Sequence, residues 1–590
     1  MTYRAPVRDL MFALTEIVGV DRLMADGGYP DLDRETLAAV LEAAGVVASE
    51  VLAPLNQPGD RAGATYQNGK VTAAPGFAAA YKAFAEGGWT SLAADPAFGG
   101  QGLPKALELA VFETMHAANM AFSLCPMLTQ GAIEAIHEHG SDRQKQLYLP
   151  KMIAGEWTGA MNLTEPQSGS DLGTLRTRAE PDGHGGYLLH GQKIFITWGD
   201  HDCTDNIVHL VLARLPDAPA GSRGISLFLA PKVMVGDDGA LGEPNALRPG
   251  GIEHKLGINA SPTCIMLFEG AKAELIGEPN QGLAHMFTMM NAARLNVGME
   301  GVGIAERAYQ QALAFAQERR QGRSAWTGEN SAPIFDQPDV RRMLAGMKAR
   351  IEAARALCLM CAVNADLAKV AASEEDRAAA RLREEVLTPI AKAWSTDIGV
   401  EVASLGVQIH GGMGFIEETG AAQHYRDARI APIYEGTNGI QAMDLAGRKL
   451  GMEGGGGMAA LIADIRADAE TLVDALDGKL DALGQRLNFA ADALEDATAW
   501  IAARRGAPDG LAGATAYLKL AGEVIGGWLL ARGALAAADG RAGDKAYGEA
   551  RTALARQYAE TVLSQAPGQV AGIIAGADLL AALNAAALGG

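Results

Sequence analysis

The sequence is poor in cysteine, and the few cysteines it has do not indicate a disulfide framework. There are five, an odd number scattered along the chain: Cys125, Cys203, Cys264, Cys358 and Cys361. This count and spacing fit a reducing compartment. The last two form a C-x-x-C, but no second Cys or His pair follows at zinc spacing, so we interpret them as core residues. The sequence therefore predicts no metal site.

Positive charge and uncharged apolar runs are also scarce. The net charge is -20, which argues against nucleic acid or an anionic membrane surface as the main partner. The first residues leave no room for an apolar secretory segment, because they include the acids Asp9, Glu16 and Asp21. The apolar stretch 514–538 is too charged for a spanning helix, since it contains Lys519, Glu523 and Arg532. We expect a cytoplasmic protein without membrane insertion.

A dinucleotide-binding glycine motif is the third absence. No G-x-G-x-x-G follows a predicted strand. Gly298, Gly301 and Gly303 lie inside a helical run, where close packing of helices explains the small residues better. A nicotinamide-dependent dehydrogenase is therefore not favoured.

The chain is long enough for several domains, since single cores stop growing beyond roughly 250–300 residues. After an extension at residues 1–34, apolar residues recur every three or four positions through residues 35–157, which predicts a helical domain. Residues 158–280 contain short β-rich runs separated by Gly, Asp, Pro and Asn, which predicts a β-domain. Helical periodicity returns in residues 281–453 and predicts a four-helix bundle.

The last segment, residues 454–590, is alanine-rich. Its opening run of four glycines, residues 454–457, predicts a flexible hinge, and helices are predicted near 459–477, 480–504, 511–538 and 544–564. We therefore predict a mainly α fold with a central β-barrel or sandwich. It lies between a helical domain and a four-helix bundle, and a C-terminal helical bundle is appended.

One carboxylate stands alone in residues 432–441, which otherwise carry no charge. This is Glu435, beside Ile433 and Tyr434, and a helix is predicted to begin near Asn438. An acid in such surroundings is a candidate proton-abstracting base. Burial would raise its pKa and the positive end of the helix would lower it, so the sequence leaves the direction of the shift open.

Several motifs occur together in an order typical of one enzyme family. They include Leu163-Thr-Glu-Pro166 with Gly169-Ser-Asp171, Tyr148-Leu-Pro-Lys151, Phe195-Ile-Thr197, Ala293-Arg294, Gln408-Ile-His-Gly-Gly-Met-Gly-Phe415, and Tyr434-Glu-Gly-Thr437. In these segments, over residues 35–450, the chain resembles the acyl-CoA dehydrogenase family. The fold of that family, a helical domain followed by a β-domain and a helical bundle, agrees with the predicted order of helical and β segments.

The resemblance implies a reaction. Glu435 would remove the α-proton of an acyl-CoA thioester while the β-hydrogen leaves as hydride to N5 of FAD, giving a trans-2-enoyl-CoA. Ala293 stands where some relatives have an alternative catalytic Glu, which leaves Glu435 as the candidate base. The positions that resemble substrate contacts of the family are Ser170, Arg294, Tyr434 and Gly436.

The resemblance also implies an FAD site and partners. The positions that resemble FAD contacts are Met161, Leu163, Thr164, Gly169, Ser170, Phe195, Thr197, Arg319, Gln408, Gly412 and Thr437. Phe195 stands where many relatives have Trp, and the change retains a flat apolar ring. Arg319, Gln408 and Gly412 resemble contacts made across a subunit interface, so a homo-oligomer, dimer or tetramer, is expected. The implied electron acceptor is electron-transferring flavoprotein.

The chain departs from the usual family pattern in several places, among them the two positions after Thr437, Asn438 and Gly439. The family usually has Arg-x-x-Phe-Gly near Arg319, but Arg319-Arg-Gln-Gly-Arg323 lacks the aromatic residue. Gln423 stands where the family usually has a basic residue. These departures affect the expected FAD contacts and leave Glu435 in place.

The length, the opening residues 3–9, the segment 253–263 and the C-terminal extension resemble a long subgroup of the family. That subgroup implies 3-(methylthio)propanoyl-CoA as substrate and 3-(methylthio)acryloyl-CoA as product. Other members of it oxidise straight-chain acyl-CoAs, so a short- or medium-chain fatty acyl-CoA dehydrogenase is the alternative. An acyl-CoA oxidase and a non-catalytic acyl-CoA-binding scaffold are further alternatives, and the presence of Glu435 argues against the scaffold.

Overall fold

The computed structural model describes residues 3–25, 28–30, 32–478 and 480–590. The first part is helical, as the apolar periodicity predicts. Its helices are α1 (Val7–Phe12), α2 (Asp21–Ala25), α3 (Arg34–Val47), α4 (Ala53–Ala62), α5 (Phe77–Glu86), α6 (Lys105–His139) and α7 (Asp142–Ile153). A hairpin of β1 (Thr65–Gln67) and β2 (Lys70–Thr72) interrupts them. The sequence analysis did not predict this hairpin, because strands of three residues are too short to show an alternating pattern.

The central domain is a β-structure, as predicted. Its strands are β3 (Trp157–Asn162), β4 (Arg178–Pro181), β5 (Tyr187–Thr197), β6 (Asn206–Arg214), β7 (Ile225–Pro231), β8 (Val233–Val235), β9 (Leu241–Pro244), β10 (Leu247–Ile252) and β11 (Thr263–Ile276). Seven of them form one sheet in the order β10-β11-β5-β4-β6-β3, and β7 pairs with both β11 and β6. That double pairing closes the sheet into a barrel, which removes most free edges.

Two features of the barrel differ from the sequence pattern. The sequence pattern shows separate β-rich runs at residues 187–189 and 193–197, but both belong to one strand, β5, which continues through Gly191 opposite β11. The strand β3 was not predicted. It is parallel to β6 and almost wholly buried, and a strand buried on both faces lacks the alternation of polar and apolar residues.

A bundle of helices follows the barrel. Its helices are α8 (Gly282–Glu318), α9 (Pro338–Val370), α10 (Glu374–His410), α11 (Ala421–Ala428) and α12 (Asn438–Gly447). A side chain at Gly298 would come within 2.8 Å of the Ala391 carbonyl oxygen, and one at Gly301 within 2.4 Å of that of Ser395. These glycines therefore let α8 and α10 approach closely, as the sequence analysis proposed. Cys358 and Cys361 are buried inside the bundle, and no group of three metal-ligating side chains occurs among the described residues.

The C-terminal part is helical, with bounds close to those predicted. Its helices are α13 (Gly456–Asp474), α14 (Asp481–Ala502), α15 (Pro508–Ala538), α16 (Lys545–Thr561), α17 (Ala566–Ile573) and α18 (Asp578–Ala581). It packs directly on the bundle, because side chains at Gly522 and Gly526 would meet the Trp394 ring at 2.4 and 2.6 Å. The predicted hinge is a turn rather than a loose linker. Gly455 has a φ of +92°, and a side chain at Gly457 would meet Val386 at 2.8 Å.

The N-terminal extension and the C-terminal part meet at one carboxylate. Asp9 accepts hydrogen bonds from the Tyr547 hydroxyl at 2.6 Å and from Lys348 at 2.7 Å. Arg551 lies 3.3 Å from Asp9 and 3.1 Å from Glu352 of α9. These groups are largely buried, so each charge relies on its partners rather than on water. The contacts join the two ends of the chain to the bundle.

Among the residues that the structure describes, two helical segments reach the length and mean hydropathy of a membrane span. They are Arg34–Ala62 and Pro508–Ala538. The second, which the sequence analysis excluded as a span because of its charges, has 78% of its apolar window buried in the protein. Core helices satisfy the same two criteria, so length and hydropathy give only weak support for a span.

Candidate active site

The candidate base Glu435 lies in the loop between α11 and α12. Its φ is +56°, and that of Gly436 is +81°. A positive φ is uncommon for a residue with a side chain and costs about 1–3 kcal/mol, so the surroundings must impose it. Thr437 ends the loop as the N-cap of α12, where its hydroxyl accepts the Ile440 N–H at 3.2 Å. Backbone strain of this kind occurs preferentially at functional sites.

Three buried side chains hold the backbone of this loop. The Glu435 carbonyl accepts hydrogen bonds from Arg294 Nε at 3.4 Å and from Gln441 Nε2 at 3.3 Å. Lys392 Nζ donates to the Gly436 carbonyl at 2.9 Å. These donors bind main-chain oxygens and not the Glu435 carboxylate. The backbone of the base is thus fixed while its carboxylate remains available to accept a proton.

The protein environment moves the pKa of Glu435 close to neutral pH. Burial raises the pKa of Glu435 to about 7, and the charges of Arg294 and Lys392 oppose that shift. Desolvation therefore outweighs the attraction of the nearby cations, which decides the direction that the sequence left open. A base with a pKa near the working pH combines a useful ionised fraction with a strong tendency to take up a proton.

A second group of predicted residues lies on the barrel. Phe195 and Thr197 belong to the end of β5, and the Ile194 N–H donates to the Thr164 carbonyl at 2.9 Å, which ties the loop after β3 to this strand. Phe195 has a φ of +58° and 58% of its surface exposed, although its ring is large and apolar. Met161 is the last but one residue of β3, where it pairs with Leu210 of β6, and Leu163 directly follows the strand. An exposed flat ring next to two threonines fits a surface for a planar heteroaromatic ligand.

An ion pair lies inside the protein beneath this surface. Lys193 of β5 is fully buried, and its Nζ lies 2.8 Å from Glu165 and 3.0 Å from the Leu163 carbonyl. Glu165 also accepts the N–H groups of Arg176 and Thr177 at 2.7 and 2.9 Å. Burial would raise the pKa of Glu165, but Lys193 and these donors outweigh it and hold the pKa at about 2. The pair fixes the loop that carries Leu163.

Gly169 and Ser170 lie in the exposed part of the same loop. A side chain at Gly169 would meet no atom within 4 Å. The loop is shaped by Ser168, whose hydroxyl donates to the Asp171 carbonyl at 2.8 Å. Both predicted residues are therefore open to solvent.

Comparisons with known proteins agree along the chain. Family models for the N-terminal, middle and C-terminal domains of acyl-CoA dehydrogenase match residues 34–156, 160–271 and 280–450. A model described as "Acetyl-CoA dehydrogenase C-terminal like" matches residues 461–584. The 3-methylmercaptopropionyl-CoA dehydrogenase of Ruegeria pomeroyi is 46% identical over 95% of this chain and 96% of its own. The chain belongs to the acyl-CoA dehydrogenase family.

Two further proteins are similar to this acyl-CoA dehydrogenase. A broad-specificity linear acyl-CoA dehydrogenase of Mycobacterium tuberculosis is 33% identical, with 95% of each chain covered. The structure of Caenorhabditis elegans ACDH-11 in complex with C11-CoA shares the fold at a TM-score of 0.79 and 20% identity, covering 99% of this chain and 96% of that one. The predicted family, fold class, FAD dependence and oxidoreductase activity on acyl-CoA are confirmed.

The remaining predicted FAD residues lie apart from both groups, at one end of the bundle. Arg319 follows the last turn of α8, and Gln408 and Gly412 flank the end of α10. These two helix ends meet, because the ring of Phe315 stacks on that of His410 with 4.5 Å between centroids. Arg319, Gln408 and Gly412 are all exposed. The structure thus places the three predicted cross-subunit residues on one surface.

The sequence analysis missed three side chains that act on the loop of Glu435. They are Lys392 and Gln441, which bind loop carbonyls, and Glu300 of α8, which accepts a hydrogen bond from the Tyr434 hydroxyl. Lys392 and Glu300 are isolated charges within apolar helical runs, and this was the available signal. Their partners lie 44 and 134 positions away in the sequence, so the sequence alone did not reveal the contacts.

Proposed function

We propose that this acyl-CoA dehydrogenase oxidises 3-(methylthio)propanoyl-CoA to 3-(methylthio)acryloyl-CoA. The observation that carries the substrate is the 46% identity, over nearly the whole of both chains, to the Ruegeria pomeroyi enzyme named for 3-methylmercaptopropionyl-CoA. The shared length includes the C-terminal extension, which aligns in that relative as well. The proposal extends the substrate of the relative to this chain.

Glu435 is the base in this proposal. Its carboxylate takes the α-proton of the thioester. Arg294, Gln441 and Lys392 bind the backbone at Glu435 and Gly436, and this keeps the Glu435 side chain in place for that step. The family resemblance implies two donors for the thioester oxygen, a backbone N–H near Glu435 and a ribityl hydroxyl of FAD. Such donors stabilise the negative charge that develops on the oxygen as the proton leaves.

The barrel surface binds the flavin in this proposal. Bound FAD supplies the acceptor for the β-hydride. Phe195 packs against the ring, and Thr164 and Thr197 offer hydroxyl groups at its edge. The remaining ring and loop contacts are assigned to Met161, Leu163, Gly169, Ser170 and Thr437. The exposed Phe195 ring is the observation that supports this assignment. Removing a large apolar side chain from water lowers the free energy, so a ligand that covers the ring is bound more tightly.

We propose a homo-oligomer, dimer or tetramer, in which Arg319, Gln408 and Gly412 reach the FAD of a neighbouring subunit. The surface after α10 supports self-association because it exposes Met413, Phe415 and Ile416, with Phe415 86% exposed. The electron acceptor would be electron-transferring flavoprotein, as the family resemblance implies. The location in this proposal is cytoplasmic, and the five scattered cysteines, which fit a reducing compartment, support it.

The alternative is oxidation of straight-chain acyl-CoAs. It is favoured by the 33% identity, over 95% of each chain, to the broad-specificity linear acyl-CoA dehydrogenase of Mycobacterium tuberculosis. Both substrates require the same base and flavin surface, so these parts of the site do not distinguish them.

Anaerobic bleaching of the flavin distinguishes the two. The purified holoenzyme is mixed with 3-(methylthio)propanoyl-CoA and, separately, with butanoyl-, hexanoyl- and octanoyl-CoA, and the loss of flavin absorbance is followed. The fastest bleaching by the methylthio substrate is expected. Faster bleaching by a plain acyl chain would overturn the substrate and leave the dehydrogenase assignment intact.

A further inference from the structure

The surface proposed for the flavin lies on a β-bulge of β5. This strand has two residues, Ile194 and Phe195, where the opposite strand β11 has one. A bulge turns a side chain out of the regular alternation of a strand, and bulges are common beside active sites. Phe195 has a φ of +58° at this point, and its ring is exposed. The bulge is therefore what presents the ring to a ligand.

A bulge does not fix its own position along a strand. If the extra residue moved by one position toward the end of β5, Phe195 would join the regular pairing and the next residue would be turned out instead. The strand must therefore be held on both sides of the bulge. On one side, the buried ion pair of Lys193 with Glu165 holds it.

Trp198 holds the other side. It directly follows β5, and only 1% of its surface is exposed. Its indole N–H donates to the Ala121 carbonyl of α6 at 3.1 Å, and its backbone N–H donates to the Pro262 carbonyl at 2.8 Å. Its ring stacks on that of Phe77 in α5, with 6.3 Å between centroids. Three separate parts of the chain thus bind this one residue.

The partner of the indole is itself held in place. At Asn119 the helix α6 is kinked, and the Asn119 side chain accepts the Phe122 N–H at 3.1 Å, which starts the second half of the helix. Ala121 lies in this capped turn. The Phe122 ring contacts Phe77 edge-on, with 5.8 Å between centroids. The hydrogen bond and the ring stack of the indole therefore end in one packed group of side chains.

The backbone of Trp198 does not favour this residue type. The Gly199 N–H donates to the Ile196 carbonyl at 3.2 Å, which closes a turn with Trp198 in its third position at a φ of +50°. A positive φ at that position is usual for Gly or Asn and unfavourable for a large side chain. The contacts of the buried indole offset this cost. The side chain is thus held by its partners and not by the turn.

Anchoring and ligand-facing residues alternate at the end of β5. Ile196 and Trp198 are buried, whereas Phe195 is exposed and Thr197 is half-buried. Neighbouring side chains of a strand point to opposite faces, so the face that Trp198 takes also decides the face of Thr197. Both residues of this strand that are assigned to the flavin therefore depend on the position of Trp198.

We propose that Trp198 is a positioning residue for the cofactor. It fixes the register of β5 beyond the bulge and thereby aims Phe195 and Thr197 at bound FAD. This rests on the proposed binding of FAD at the barrel surface. Trp198 does not touch the cofactor in this proposal and acts through the two residues that do.

The test is the rate at which the diluted holoenzyme releases FAD, followed by the fluorescence of the free flavin. Trp198→Phe keeps an aromatic ring and removes the indole N–H that binds the Ala121 carbonyl. It should speed release about two- to tenfold, the range to which one net hydrogen bond corresponds. A release rate equal to that of the wild type would overturn the proposal.

Trp528→Phe is the matched control. Trp528 of α15 is 2% exposed, and its indole N–H donates to Asp468 at 2.6 Å, so the same chemical change is made in the C-terminal part. This variant should unfold at a lower temperature and release FAD at the wild-type rate. If it speeds release as much as Trp198→Phe does, general loosening of the protein explains the effect and the proposal fails.

Trp198→Gly separates the anchor from the turn. Gly adopts a positive φ without strain, but it has neither the indole hydrogen bond nor the ring stack. Release of FAD should be faster from Trp198→Gly than from Trp198→Phe. Slower release from the Gly variant would show that the turn, and not the buried side chain, places the surface.

A double-variant cycle with Phe195→Ala tests the route of the effect. If Trp198 acts by aiming the Phe195 ring, Trp198→Phe should speed release by a smaller factor once that ring is absent. An equal factor in both backgrounds would contradict the proposal. A purely structural loss of stability would not give this dependence on Phe195.

The experiment also separates the role of Trp198 from the proposed function. If the wild-type protein binds no FAD, the proposed function fails before Trp198 is tested. If the wild type holds FAD and Trp198→Phe releases it at the same rate, the function stands and the role of Trp198 fails.

Discussion

At the scale of single residues, the site is governed by the cost of burying charge. Glu435 has its pKa raised to about 7 because the cations near it, Arg294 and Lys392, do not fully repay its desolvation. Both cations instead donate to loop carbonyls, at 3.4 and 2.9 Å. They hold the backbone and moderate the shift of the base without pairing with its carboxylate. This arrangement fixes the backbone of the candidate base without pairing its carboxylate with either cation.

Glu435→Gln should keep its FAD and lose about 10²–10⁴-fold in the rate of flavin bleaching, the usual contribution of a general base. In the wild type, the rate should fall about tenfold per pH unit below pH 7, because protonated Glu435 cannot accept the α-proton and its pKa is about 7. Stopped-flow bleaching under anaerobic conditions measures both effects. Near-normal bleaching by Glu435→Gln would remove Glu435 as the base.

A single residue could be singled out from the sequence only where its neighbours in the chain form a recognisable motif. Glu435 could be proposed as the base because its loop is a continuous motif of ten residues without another charge. Phe195 could be proposed as a ligand contact because it lies in a short motif of its own. Glu300 and Lys392 could not, because their contacts with the loop form only when α8 and α10 pack against it. Packing partners far apart in sequence leave no local pattern.

At the scale of elements, the loop after β3 depends on one buried ion pair. Lys193 of β5 binds Glu165 and the Leu163 carbonyl, so one strand fixes the whole loop that carries the predicted flavin contacts. Loss of one partner of a buried ion pair leaves an uncompensated buried charge, which is strongly destabilising. Loss of both partners leaves no such charge and costs much less stability. The loop is therefore sensitive to a single substitution in β5.

Lys193→Met should lower the free energy of unfolding by about 3–5 kcal/mol, because Glu165 then stays buried without its cation. It should also lower the FAD content, since the loop would lose the Lys193 bond to the Leu163 carbonyl. The double variant Lys193→Met with Glu165→Gln is the control and should recover part of the stability. Thermal unfolding and flavin absorbance measure both. A double variant less stable than the single one would contradict the argument.

Elements were predictable where one face of the element meets water. The helices α13, α14 and α16 have one buried and one solvated face, and their predicted bounds lie within a few residues of those observed. The strand β3 carries no such alternation because it is buried on both faces. The close glycine contacts between α8 and α10 were predictable in kind from small residues in a helical run. The partner helix was not, because spacing within one helix does not identify its neighbour.

At the scale of the whole molecule, the C-terminal part is a layer over the bundle rather than a tethered domain. Trp394 of α10 is only 3% exposed because α15 covers it, and Gly522 and Gly526 provide the space for its ring. Arg551 of α16 compensates the buried charges of Asp9 and Glu352. The layer thus supplies apolar contact and charge balance to the rest of the chain.

Truncation after Gly457 should therefore change the assembly of the protein. It uncovers Trp394 and leaves Asp9 and Glu352 without Arg551, so the shortened chain exposes an apolar surface that other copies can cover. Light scattering should give more subunits per particle than for the full chain. Gly526→Leu in the full chain is the companion variant, because a side chain there meets the Trp394 ring and should loosen the layer without deleting it. An unchanged number of subunits after truncation would show that the layer does not cap the assembly.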